Sequence, residues 1–171
     1  VLLIGSPLIT LSMALAPLMV TILFSAEFAP TVAILKWQLL GDLLRFVSWT
    51  LGFAVLAGLS NRIYLLTETL GGVMLLGFFL WGMQQFGLQG LGIGWLLGYC
   101  GYLLVLLFVL VLNKTWAPVW SNVSLLALSL GIATLVRVIF EPWALLIAVA
   151  WAFMCGFWLF LQARHPQIEV R

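Results

Sequence analysis

Four long stretches of this sequence contain no Asp, Glu, Lys or Arg. They cover residues 1–26, 69–113, 115–136 and 142–163. About 20 consecutive apolar residues are enough for one helical crossing of a bilayer. The composition agrees, since 65% of the residues are hydrophobic and 7% are charged, against about 25% charged in soluble domains. We therefore expect an integral membrane protein, and a net charge of +2 gives no reason to expect a nucleic-acid partner.

The apolar stretches are typical of helices rather than of barrel strands. The run LLVLLFVL at 103–110 is apolar on every face, whereas a barrel strand alternates apolar and polar residues. Breaks at Gly, Pro and charged residues predict six helices with short connections. Their predicted ranges are 2–25, 32–58, 62–84, 91–113, 122–140 and 143–163. Because short connections make neighbouring helices antiparallel, we expect an all-α, polytopic membrane bundle with about six transmembrane helices.

The positions of Lys and Arg predict the orientation of this bundle. Four of them fall near one end of the predicted helices and two near the other. The first group is Arg62, Lys114, Arg164 and Arg171, and the second is Lys36 and Arg137. Since Lys and Arg are enriched in cytoplasmic loops, we expect the C-terminal tail in the cytoplasm, and six crossings place residue 1 there too. The chain opens on Val1 rather than Met, and we expect it to be a fragment of a longer protein.

A polar stripe interrupts the second predicted helix. At about 100° per residue, Gln38, Asp42, Arg45 and Trp49 fall within about 60° of one another. Charged groups at membrane depth usually face a protein interior or a watery cavity, so this stripe is a candidate cavity wall in which Arg45 offers hydrogen-bond donors to an anion. The alternative is an internal ion pair, because Asp42 and Arg45 are three residues apart. Lys36 lies off the stripe, and we expect it to snorkel to the interface.

The third predicted helix carries a single carboxylate, Glu68, about 9 Å deeper than Arg62 at 1.5 Å per residue. A carboxylate at this depth either titrates and couples an ion, or pairs with a cation supplied by Arg62 or Arg45. Glu68 and Asp42 are therefore the candidate ion-coupling residues.

The remaining patterns indicate packing rather than chemistry. Gly90, Gly94 and Gly98 recur at four-residue spacing, which is typical of close helix contact. Cys100 and Cys155 fall inside apolar helices, and the single His165 lies in the polar tail. Because no metal-ligand spacing and no paired carboxylates are present in the sequence, we expect no metal, no cofactor and no enzymatic activity.

Two segments resemble a known family. The segment WQLLGDLLR at 37–45, followed by Gly52 and then by RIYLLTE at 62–68, is similar to the late helices of Wzx-type O-antigen and lipid III flippases. These belong to the multidrug/oligosaccharidyl-lipid/polysaccharide exporter superfamily. The likeness covers about residues 15–112, so residues 1–113 would supply four spans of the second lobe of a MATE-like two-lobed transporter. Residues 114–171 would then add a helix pair and a short cytoplasmic tail.

The resemblance implies movement of an undecaprenyl-diphosphate-linked oligosaccharide across the bacterial inner membrane by alternating access. Partners would be the missing N-terminal lobe and other membrane proteins of O-antigen and lipopolysaccharide assembly. Family members line their cavity with cations, a role that Arg45 and Arg62 would fill here. Three alternatives stay open: a drug/cation antiporter of the same superfamily, a membrane-embedded polymerase, ligase or acyltransferase, and a structural membrane subunit.

Overall fold

The protein is all-α, as the sequence predicts. The computed structural model describes residues 1–24, 26–114, 120–139 and 141–164. A short 3₁₀ turn, Ala26–Phe28, follows the first of six helices. The helices are α1 Leu2–Leu23, α2 Thr31–Gly58, α3 Asn61–Phe86, α4 Gln89–Leu112, α5 Trp120–Val138 and α6 Glu141–Arg164. Every observed helix end lies within two residues of its predicted position.

Five of these helices are long and apolar enough to cross a membrane. They are α1 to α4 and the Pro142–Leu161 part of α6, whereas the apolar stretch of α5, Asn122–Val138, is shorter. At 1.5 Å per residue, the 28 residues of α2 extend about 42 Å, which matches a bilayer including its headgroups. The chain is therefore a multi-pass membrane protein.

Helix α4 is the central element of one half of the bundle. It packs along much of its length on both α2 and α3, while α2 and α3 touch each other far less. Helix α4 therefore connects α2 and α3, which have few direct contacts with each other. The other half joins α1 to α2 and α6, and α5 packs mainly on α1 and α6.

Glycines allow α4 to approach α3 closely. A Cβ added at Gly94 would lie 2.5 Å from the carbonyl oxygen of Phe78, and one at Gly98 would lie 3.1 Å from the Cα of Leu75. Gly90 meets the backbone of Gly82 in the same way. These are the three glycines whose spacing predicts close helix contact.

The half that contains α1, α2, α5 and α6 has a compact apolar core. Its buried members include Ile9, Met13, Leu43, Val136 and Ala148. A buried hydrogen bond also joins α1 to α6, in which Trp151 Nε1 donates to Ser6 Oγ over 3.1 Å. This pairing sets the level of α6 along α1.

The up-and-down order of the helices separates the basic residues as predicted. Arg62 and Lys114 lie at the end where α3 begins and α4 finishes. Lys36 lies near the opposite end, where Arg137 stacks 3.4 Å from the centre of the Trp37 ring. Arg171 and His165 lie outside the described residues.

Candidate functional site

The polar stripe of α2 contains an ion pair near the middle of the helix. Arg45 Nη1 lies 3.6 Å from Asp42 Oδ1, and the two side chains are 32% and 25% exposed. This is the internal pair that three-residue spacing allows. It is not sealed inside the bundle, because both side chains keep a share of open surface.

Two tryptophans flank the Arg45 guanidinium. Its central carbon lies 4.2 Å from the Trp49 ring centre and 5.5 Å from the Trp95 ring centre. Cation–π contacts of this kind hold a guanidinium in place when water is scarce. Arg45 Nε is buried and has no hydrogen-bond partner among the described residues. The arrangement therefore positions a cation and leaves one of its donors unused.

Trp95 connects α4 to this ion pair. Its Nε1 donates a hydrogen bond of 3.1 Å to Asp42 Oδ1. Gly41 makes the approach possible, because a Cβ at that position would lie 2.7 Å from Trp95 Cδ1. The Tyr99 ring stacks edge-on 5.0 Å from the Trp95 ring.

Glu68 lies on α3 and contacts α4. The Tyr102 hydroxyl of α4 donates a hydrogen bond to Glu68 Oε1, and the Glu68 residue remains exposed. A Cβ at Gly52 of α2 would come within 3.4 Å of this carboxylate oxygen, and one at Gly71 would meet the Tyr102 ring. Two glycines on opposite walls thus make room for the Glu68–Tyr102 pair.

The cation partner expected for Glu68 is not seen in the described part of the chain, where Tyr102 takes that place. The physical reason is axial distance. Gly52 and Glu68 are level, so at 1.5 Å per residue Arg45 lies about 10 Å away towards one end and Arg62 about 9 Å away towards the other. Arg62 and Arg45 are consequently about 20 Å apart along the helix axes.

The stripe residues therefore fall into two sets. Asp42, Arg45 and Trp49 meet with Trp95, and Gln38 lies half-buried one turn away. Arg62 is exposed at the start of α3 and lies apart from them. We call the surface formed by Asp42, Arg45, Trp49, Glu68, Trp95, Tyr99 and Tyr102 the polar groove.

Three of these residues are not predicted as site residues from the sequence. Trp95, Tyr99 and Tyr102 lie on α4, which the glycine spacing marks only as a packing helix. Their spacing of four and then three residues places them on one helical face, and each ring carries a polar atom that needs a partner when buried. That pattern is the signal that could have found them.

The polar groove combines the guanidinium of Arg45, which carries hydrogen-bond donors, with the carboxylate of Glu68. Within the described ranges, no three His, Cys, Asp or Glu residues come together to hold a metal ion. A charge at the bilayer centre costs at least about 2.5 kcal/mol on insertion scales. The groove therefore requires water, a polar ligand or another protein segment against it.

Fold and groove together define a multi-pass helical membrane protein with a polar, half-exposed surface at membrane depth. No protein-family model, curated protein or solved structure matches this chain. The residues themselves therefore have to indicate any particular activity.

Proposed function

We propose that this chain is part of a flippase that moves an undecaprenyl-diphosphate-linked oligosaccharide, such as an O-antigen unit, across the bacterial inner membrane. Two observations support the proposal. The segments 37–45 and 62–68 resemble Wzx-type flippases, and each places charged residues against α4, where Asp42 accepts from Trp95 beside Arg45 and Glu68 accepts from Tyr102. Two segments that are separated in the sequence but pack on the same helix can form one transport surface.

The observation that carries the proposal is the state of Arg45. A purely structural ion pair would be closed off and fully hydrogen-bonded, because unpaired polar groups are costly in hydrocarbon. Arg45 is instead about one third exposed, and its Nε is buried without a hydrogen-bond partner among the described residues. Guanidinium groups bind phosphates through paired donors, so the diphosphate of the lipid-linked substrate is a suitable ligand.

In such a flippase, the polar groove would lie between the two lobes of the transporter. The opposite lobe of the transporter would cover it, and alternating access would open it first to one leaflet and then to the other. The end that carries Arg62 and Lys114 would face the cytoplasm, together with the C-terminal tail. Movement of the substrate makes no covalent bond, so no enzymatic step is proposed.

A second candidate is a drug/cation antiporter of the same superfamily. The observation that favours it is the exposed carboxylate of Glu68, which would bind the transported cation. In the flippase this same carboxylate would couple ion flow to transport.

Complementation tests the role of Arg45. The complete protein carrying Arg45→Ala, expressed at the normal level, is expected to fail in a flippase-null strain, and Arg45→Lys is expected to restore little because a lysine cannot reproduce a planar fork of donors. Lys114→Ala removes a cation outside the groove and serves as the matched control. Normal surface polysaccharide in the Arg45→Ala strain would remove Arg45 from the mechanism.

Reconstitution separates the candidate activities. Proteoliposomes loaded with a fluorescent undecaprenyl-diphosphate sugar are expected to expose the label to an external quencher only when the complete protein is present. Export of an organic cation without movement of the labelled lipid would favour the antiporter. Formation of a longer glycan would favour a polymerase.

A further inference from the structure

Trp95 and Arg45 approach the same oxygen atom of Asp42. The Trp95 indole donates a hydrogen bond of 3.1 Å from Nε1 to Asp42 Oδ1, whereas Arg45 Nη1 lies 3.6 Å from that atom. A separation of 3.6 Å is an ion-pair contact but is too long for a hydrogen bond. The indole, and not the guanidinium, therefore makes the hydrogen bond to this oxygen.

The guanidinium of Arg45 makes no hydrogen bond with any other described residue. It is held instead by the Trp49 and Trp95 rings, whose centres lie 4.2 Å and 5.5 Å from its central carbon. Cation–π contacts use the positive charge of arginine and do not require its N–H donors. Because about a third of the side chain is exposed, donors of Arg45 are left for a ligand.

Asp42 is the nearest competitor for these donors. Its position three residues before Arg45 on one helix allows a direct pair, and direct arginine–carboxylate pairs are frequently bidentate. Such a pair would occupy two donors of the guanidinium. The hydrogen bond from Trp95 instead ties the carboxylate to α4. The indole has little room to move, since a Cβ at Gly41 would lie 2.7 Å from Trp95 Cδ1.

We propose that Trp95 is a positioning residue, which holds the Asp42 carboxylate against α4 and thereby leaves the Arg45 guanidinium to bind the phosphate of a ligand. The inference rests on the proposed function for the identity of that ligand, a lipid diphosphate. Without the indole N–H, Asp42 turns towards Arg45 and forms direct hydrogen bonds with it. The ligand then has to compete with a carboxylate for the same donors.

Binding of undecaprenyl diphosphate to the purified full chain tests this role. Native mass spectrometry in neutral detergent compares the unmodified chain with Trp95→Phe, Asp42→Asn and the double variant. Trp95→Phe is expected to weaken binding about fivefold, the net effect of one hydrogen bond. In the Asp42→Asn chain the same change is expected to alter binding by less than about twofold, because the competing charge is gone. No loss, or an equal loss in both chains as simple packing would give, would overturn the proposal.

The coupling between Asp42 and Arg45 tests the same role without any lipid. Unfolding of chains that carry Asp42→Asn, Arg45→Gln or both gives this coupling as a ratio of unfolding equilibrium constants. The ratio is expected to rise about fivefold when Trp95→Phe is present throughout, since the pair is then joined by a direct hydrogen bond. An unchanged or smaller ratio would overturn the proposal.

Trp158→Phe on α6 is the matched control, because it makes the same chemical change on an exposed ring outside the polar groove. If Trp95→Phe fails to fold, β-(3-benzothienyl)alanine at position 95 replaces it, since this amino acid keeps a bicyclic ring of similar shape and lacks the N–H donor. Failure of the unmodified chain to bind undecaprenyl diphosphate would count against the proposed function, and the coupling measurement would still decide the role of Trp95.

Discussion

The Tyr102 hydroxyl donates a hydrogen bond to Glu68 Oε1 and thereby joins α4 to α3 at the edge of the polar groove. Tyr102 is buried while Glu68 is exposed, so a buried tyrosine orients an exposed carboxylate. This contact replaces the cation that the sequence alone suggests for Glu68.

Tyr102→Phe is expected to lower the free energy of unfolding by about 1–2 kcal/mol, because the carboxylate loses a donor while the ring still packs. Glu68→Gln keeps an acceptor oxygen and is expected to cost less. Unfolding in mixed micelles of neutral detergent and SDS measures both. Combining Tyr102→Phe with Glu68→Ala should show coupling, and additivity within about 0.5 kcal/mol would mean that the hydrogen bond contributes nothing.

Gly94→Ala is expected to destabilise the protein by about 1–3 kcal/mol, the usual cost of overpacking. The new Cβ would lie 2.5 Å from the Phe78 carbonyl oxygen, and a backbone atom cannot move aside as a flexible side chain can. Gly77→Ala on α3 is the control, since nothing lies within 4 Å of the added Cβ. Alanine has a higher helix propensity than glycine. In the same assay, Gly77→Ala is therefore expected to raise the free energy of unfolding, whereas Gly94→Ala is expected to lower it.

Trp49→Cys is expected to react with a membrane-impermeant maleimide when Cys100 and Cys155 have been replaced by Ala. Trp49 borders the polar groove and is 48% exposed. Leu104→Cys on α4 is the control, because Leu104 is 61% exposed but lies outside the groove, among apolar residues that suit lipid. Equal labelling at both positions would show that exposure to water does not distinguish the groove from the lipid-facing surface.

The helices could be predicted closely because their signal is local. The charge-free runs define the spans, and the glycines, prolines and charged residues between them mark the helix ends to within two residues. The short connections also predict the up-and-down order, and with it the separation of Arg62 and Lys114 from Lys36 and Arg137.

The contacts of the groove could not be predicted because they join distant parts of the chain. Asp42 and Trp95 are 53 residues apart and Glu68 and Tyr102 are 34 apart, so no helical period relates them. The stripe on α2 indicates which face is polar, but it does not indicate which helix meets that face. Only the packing of α4 between α2 and α3 brings its aromatic residues to the ion pair.

The ion pair of Asp42 and Arg45 offers the sharpest test of what the groove contacts. Asp42→Asn leaves the Trp95 indole with an acceptor but leaves Arg45 without a countercharge, and Arg45→Gln leaves Asp42 alone in the same way. Each single substitution is expected to cost about 1–2 kcal/mol of unfolding free energy, less than the roughly 3–5 kcal/mol of a fully buried pair, because both side chains are part-exposed. The double substitution removes both charges and should be more stable than the sum of the two single changes implies. If each single substitution instead changed the unfolding free energy by nearly zero, and the double substitution equalled their sum, water would screen the pair completely. The Trp49 and Trp95 rings would then not enclose it.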